Sequence, residues 1–220
     1  MSGRNMPVPA MPARWAMPGW LWWALAGAVG WAMLPLSAIP LWGVLQAVQG
    51  NASLALQFVV AGLVLSAAQG LVLRRSLPST RWWAGPTAAG IFLFGLVTLL
   101  ITMLPDVFAG TLSSVPLWLG RLDILFGGTL VGVPQWLVLR RHVRRAAWWV
   151  GASTVGWIAG VIVGVPLAGV LVSTYGRAQP DAVAWALPIA AGLAVGGALY
   201  GVVLGLALRV LVRSAAYPHS

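Results

Sequence analysis

Residues 127–149 read Gly-Gly-Thr-Leu-Val-Gly-Val-Pro-Gln-Trp-Leu-Val-Leu-Arg-Arg-His-Val-Arg-Arg-Ala-Ala-Trp-Trp. This is the end of one apolar helix, a basic turn, and the aromatic start of the next helix. The pattern recurs. Gln69-Gly70-Leu71-Val72-Leu73-Arg74-Arg75 matches Gln135-Trp136-Leu137-Val138-Leu139-Arg140-Arg141 at an offset of 66, which also carries Trp82-Trp83 onto Trp148-Trp149. A further copy lies near the C-terminus: Gly127-Gly128, Leu130 and Gly132-Val133 correspond to Gly196-Gly197, Leu199 and Gly201-Val202 at an offset of 69. The helix after the turn repeats as well, because Trp22-Trp23, Gly30-Trp31 and Pro40-Leu41 return 126 residues later as Trp148-Trp149, Gly156-Trp157 and Pro166-Leu167. Self-similarity at a fixed period predicts a repeat architecture. The expectation is three helical hairpins of roughly 65 residues each, a period somewhat above the usual repeat range.

Composition sets the class. Of 220 residues, 60% are hydrophobic and 7% charged, and the mean hydropathy is +0.90. A soluble fold needs more polar surface than that. Apolar runs near 19–45, 53–75, 82–104, 117–140, 147–173 and 183–212 account for almost the whole chain. Each has the roughly 20 residues that a helix needs to cross a bilayer's hydrocarbon. The expected fold is therefore all-α: a polytopic membrane protein with six transmembrane helices arranged as three tandem two-helix repeats, a pseudo-threefold bundle. Its parts are a cytoplasmic tail at 1–18, a single membrane domain at 19–213 with repeats of roughly 19–75, 82–141 and 147–213, and a C-terminal tail at 214–220.

Orientation follows from arginine. All 13 basic residues are Arg. Eleven of them, including Arg74, Arg75, Arg140, Arg141, Arg209 and Arg213, fall on one side, and only Arg121 and Arg177 on or near the other. The positive-inside rule then places both termini and both basic turns in the cytoplasm, with the chain in a bacterial cytoplasmic membrane. Arginines at helix ends are topology signals, so the formal net charge of +10 does not imply a nucleic-acid partner. The tryptophans Trp20, Trp22, Trp23, Trp82, Trp83, Trp148 and Trp149 read as a cytoplasmic interfacial belt. Pro35 and Pro40 predict a bend or early end to the first helix.

Inside the membrane, small residues recur every four positions at Gly62-Ser66-Gly70, Gly128-Gly132, Gly156-Gly160-Gly164 and Gly197-Gly201-Gly205. Such spacing lets helix backbones approach closely, so Gly62, Ser66, Gly128, Gly132, Gly156, Gly160, Gly197 and Gly201 are expected at packing faces. Gln69 and Gln135 lie about 20° from that stripe. A buried amide in lipid wants a partner, most simply a carbonyl or hydroxyl on a neighbouring helix. Arg121 breaks the repeat, since Ala55 and Ala190 occupy its sister positions. An intramembrane charge is a functional-site candidate, and with Gln69 and Gln135 it makes up the candidate polar site. Snorkelling, or pairing with Asp106 or Asp181, is the favoured role for Arg121.

The stretch at 129–141, with Thr129 where a first glycine would stand before Gly132, Gln135 and the Trp-Leu-Val-Leu-Arg-Arg run, resembles uncharacterised multi-pass bacterial membrane proteins. The likeness spans most of 55–213 and implies no activity. The two-helix triplication is superficially similar to mitochondrial carriers, but their proline–acidic–basic signature is missing. Enzyme chemistry has little to build on: the chain has no Glu, three Asp and two His, His142 in a basic turn and His219 in the tail. No acid–base pair or nucleophile assembly follows from these. With no cysteine, no thiolate metal site or disulfide forms, and no cofactor is expected. The favoured reading is a non-catalytic structural or accessory membrane subunit. Its partners are the lipid bilayer and, through the glycine-rich faces, other membrane proteins or copies of itself. The alternative is a small permease or transporter for a small solute or lipid.

Overall fold

The computed structural model describes residues 19–41, 51–76, 83–107, 122–143, 145–175 and 182–216. Every regular element among them is helical. The helices are α1 (Gly19–Leu36), α2 (Asn51–Ser76), α3 (Ala84–Val107), α4 (Leu122–Leu139), α5 (Trp148–Tyr175) and α6 (Ala182–Ala216). Five helices are long and apolar enough to cross a membrane, over Gly19–Leu41, Leu56–Arg74, Ala84–Ile101, Trp148–Tyr175 and Val183–Val212. The described part of α4 contributes a shorter apolar stretch, Phe126–Leu139. Large apolar side chains such as Leu63, Leu71, Phe92, Val155, Ile162 and Val210 are exposed on the outer faces, as a bilayer permits and water does not. The chain is an integral membrane protein.

Proline marks the end of α1. Pro35 cannot donate to the helix ladder, and α1 passes into a turn at Ser37 before resuming over 38–41. The turn is held by Ser37 N–H on the Met33 carbonyl at 3.0 Å and by Ser37 Oγ on the Leu34 carbonyl at 2.9 Å. Pro134, Pro166 and Pro188 lie within α4, α5 and α6 without ending them. At its other end α6 continues through Ala215 and Ala216, into the stretch read above as tail, where two alanines favour helix.

Each helix packs on its chain neighbours, and α6 closes on α1, so the six form a ring. The two most extensive contacts are α1 with α6 and α5 with α6. Glycine explains both. Along α6, Gly205 faces Trp20, Gly201 faces Trp23 and Ala24, and Gly197 faces Gly27. On the α5 side, Gly156 meets Tyr200, Gly160 meets Gly196 and Gly164 meets Gly192. Numbers rise on one helix as they fall on the other, so both pairs are antiparallel. A Cβ at Gly160 would lie 2.6 Å from the Gly196 carbonyl oxygen, and one at Gly164 would lie 3.1 Å from the Gly192 carbonyl oxygen. Backbones this close gain dispersion and weak polar contact that bulkier residues would prevent.

The other seams use glycine more sparingly. Gly62 receives Ile91 between α2 and α3, and Gly90 receives the Val131 backbone between α3 and α4. Gly128 and Gly132 take Ser153 and its neighbours between α4 and α5. Ser66 donates to the Gly62 carbonyl one turn back, which keeps its hydroxyl off the helix surface. Gly62, Gly128, Gly132, Gly156, Gly160, Gly197 and Gly201 each lie against a neighbouring helix, and Ser66 is buried.

Candidate functional site

Gln69, Thr87, Gln135 and Ser153, all buried, gather on the inner face of the ring, near the end that carries the basic turns. Gln135 is the hub. Its Nε2 donates to Gln69 Oε1 at 3.1 Å and to Thr87 Oγ1 at 2.9 Å. Its Oε1 accepts from Trp149 Nε1 at 2.8 Å. Thr87 in turn donates to the Trp83 carbonyl at 3.2 Å, which fixes its hydroxyl as the acceptor toward Gln135. Gln69, Gln135 and Thr87 are completely buried. Four helices, α2 to α5, are joined through this one amide.

A second pair lies beside it. Ser153 donates to the Gly128 carbonyl at 2.8 Å and stands 3.2 Å from the Tyr200 hydroxyl. Since the serine proton is committed to Gly128, Tyr200 is the donor between them. The Tyr200 hydroxyl also lies by the Gln69 side chain. Toward the opposite end, Thr129 and Thr154 bond at 2.8 Å, and Thr154 donates to the Val150 carbonyl.

Below this layer, three tryptophans meet. Trp23, at the start of α1, packs edge-on against Trp83 at 6.4 Å and Trp149 at 5.6 Å between ring centroids, and Trp83 meets Trp149 at 5.6 Å. Edge-to-face geometry at these distances is the favoured one for aromatic quadrupoles. All three are buried, which corrects the interfacial role expected of them. Neighbouring residues on a helix point about 100° apart. Trp149 therefore turns inward while Trp148 faces out at 73% exposed. The indole nitrogens differ. Trp149 Nε1 has its acceptor, whereas Trp83 Nε1 and Gln69 Nε2 are buried without one among the described residues. Trp149→Phe and Trp83→Phe remove the same volume, but only the first removes a hydrogen bond. Trp149→Phe should therefore be the more destabilising by about 1 kcal/mol in detergent thermal melts.

Above the polar layer, α1, α2, α3, α5 and α6 surround an apolar cavity of ≈ 180 Å³. Leu65, Ile91 and Trp157 line it, each one turn beyond Gln69, Thr87 and Ser153 respectively. Aromatic edges dominate its walls: Trp31 against Trp157 at 5.0 Å, Phe94 against Trp157 at 4.9 Å, and Phe58 against Phe94 at 5.2 Å.

The three candidate polar residues part company here. Gln69 and Gln135, 66 positions apart in sequence, are in direct contact. Arg121 lies outside the described residues, as does its proposed partner Asp181; α3 includes Asp106, whose side chain is likewise outside them. His142 is exposed in the turn after α4, and the Arg140 guanidinium sits 5.3 Å from the Trp136 ring centre, a cation–π contact. Thr87, Ser153 and Tyr200 were not singled out by sequence, and Trp149 was read there only as an interfacial anchor. A signal for two of them existed: Thr87 and Ser153 stand at the same offset of 66 as Gln69 and Gln135, four residues after Trp83 and Trp149.

The sequence matches no protein-family model, and no curated protein or solved structure matches it.

Proposed function

We propose that the chain is a non-catalytic accessory protein of the bacterial cytoplasmic membrane, built as six spans with pseudo-threefold symmetry and both termini in the cytoplasm. The tryptophan triad carries this reading. Trp23, Trp83 and Trp149 are repeat-equivalent by sequence, and their mutual contact is what a common axis would produce. Leu73, Leu139 and Leu208 are equivalent in the same way and equally buried, as are Gln69, Gln135 and Leu204. Those positions support counting α4 as a sixth span.

The same triad argues against a permease. Three interlocked indoles fill the axis at the arginine-bearing end, and the polar groups above them are largely committed to one another. Vesicles holding the purified chain should retain an entrapped small solute as long as protein-free vesicles do; a leak that depends on the protein would favour the transporter reading. The outer surface is left for lipid and partner proteins, and purification in mild detergent should bring a second membrane protein along. A chain that migrates alone under the gentlest extraction would remove the accessory role.

Orientation has its own test. Because the chain has no cysteine, Ser79→Cys and Ser113→Cys each create a single thiol. An impermeant thiol reagent applied to intact cells should label the second and spare the first. The opposite pattern would invert the topology, and labelling of both would mean that the chain between them does not cross.

A further inference from the structure

We propose that the apolar cavity above the amide network is a binding site for one acyl chain of a phospholipid drawn from the surrounding bilayer. The inference rests on the membrane-spanning reading above. Four observations support it.

The wall is hydrocarbon. Trp31, Phe58, Leu65, Phe94 and Trp157 present ring faces, ring edges and methyl groups. A buried water needs two to four polar partners, so water has no place in such a site. The size suits a chain segment, since ≈ 180 Å³ exceeds the roughly 150 Å³ of an engineered apolar cavity that stays dry and takes up benzene. The level is right as well. At the same height the outer faces of α2, α3 and α5 carry exposed Leu63, Phe92 and Ile162, which places lipid tails just outside the wall. Finally, Val165 lines the cavity and is itself 48% exposed, so the cavity is continuous with the lipid-facing surface.

The driving force differs from that in water. Moving a methylene from lipid to protein gains no hydrophobic free energy, but it restores dispersion contacts that an empty cavity lacks. A flexible saturated chain can follow the irregular wall, and the closed layer of Gln69, Thr87 and Ser153 sets how deep it reaches. The headgroup stays at the membrane surface, outside the cavity.

The test uses the full chain purified in mild detergent and read by native mass spectrometry. Wild type should keep a single phospholipid after detergent exchange. Ala61→Phe, which projects a ring into the cavity, should lower that retained fraction at least tenfold. Leu193→Phe serves the same purpose from α6 should the first variant not fold. In parallel, n-decane should raise the melting midpoint of delipidated wild type and leave that of the filled variant unchanged. Three results would overturn the proposal: a folded wild type that carries no lipid and ignores decane, a lipid adduct equally abundant on the filled variant, or retention of a hydrophobe that is not a phospholipid. The thiol labelling keeps the two readings apart. If labelling gives the expected topology while no lipid is retained, only the cavity proposal falls.

Discussion

Replacing Gly201 by leucine should lower the stability of the bundle by about 3 kcal/mol or more, at or beyond the top of the usual overpacking range. A Cβ at Gly201 would overlap the Trp23 carbonyl oxygen and lie 2.8 Å from Ala24 Cα. Both obstacles are backbone, so no side chain can swing away. Relief requires α1 and α6 to separate, and Trp23 would move with α1, pulling one ring out of the triad with Trp83 and Trp149. The matched control is Gly169→Leu on α5, where nothing lies within 4 Å of the added carbon; a surface change of this kind stays within about 0.5 kcal/mol. Thermal unfolding in detergent separates the two. Equal midpoints would mean that the α1–α6 seam is not the close backbone contact described here.

Gln135→Leu should cost about 2–5 kcal/mol, taking three hydrogen bonds at the roughly 0.6–1.7 kcal/mol measured for such bonds within membranes. The change leaves Gln69 Oε1, Thr87 Oγ1 and Trp149 Nε1 without the partner each has now. Steric fit is not the obstacle, because Leu204 occupies the equivalent position in the third repeat and is completely buried. Gln69→Leu combined with Gln135→Leu should therefore destabilise less than the two single changes added together, since each amide is part of what the other loses. Simple additivity in melts of the four proteins would show that the two glutamines do not act as a unit.

These effects fall on neighbouring layers of one structure. The tryptophan layer closes the arginine-bearing end, the amide layer joins α2 to α5, and the carbon-lined cavity lies above it between α1, α2, α3, α5 and α6. Change in one layer should reach the next. Trp149 belongs to both of the first two, through its ring contacts and through its bond to Gln135, and Trp157 belongs to the cavity wall while packing on Trp31, Phe94 and Tyr200.

Much of this was legible in the residues alone. Composition and the length of the apolar runs are enough to require membrane helices, because no water-facing surface can be built from so few polar groups. Glycine spacing marked the inward faces of α5 and α6, since only a residue without Cβ permits two backbones to touch. The amides of Gln69 and Gln135 stood out because a primary amide in hydrocarbon is costly unless paired. What pairs with them was not legible: a spacing of 66 residues specifies a repeat position, and the distance between two such positions depends on how the ring closes. Closure of α6 on α1 is likewise a tertiary fact, set by which glycine face finds which backbone. So is the fate of the tryptophans. Sequence places each Trp-Trp pair at a helix start, where either ring could anchor at the interface, and only packing around a shared centre turns Trp23, Trp83 and Trp149 inward. The cavity left no trace in sequence at all, for a void is made by five helices together and by no residue singly.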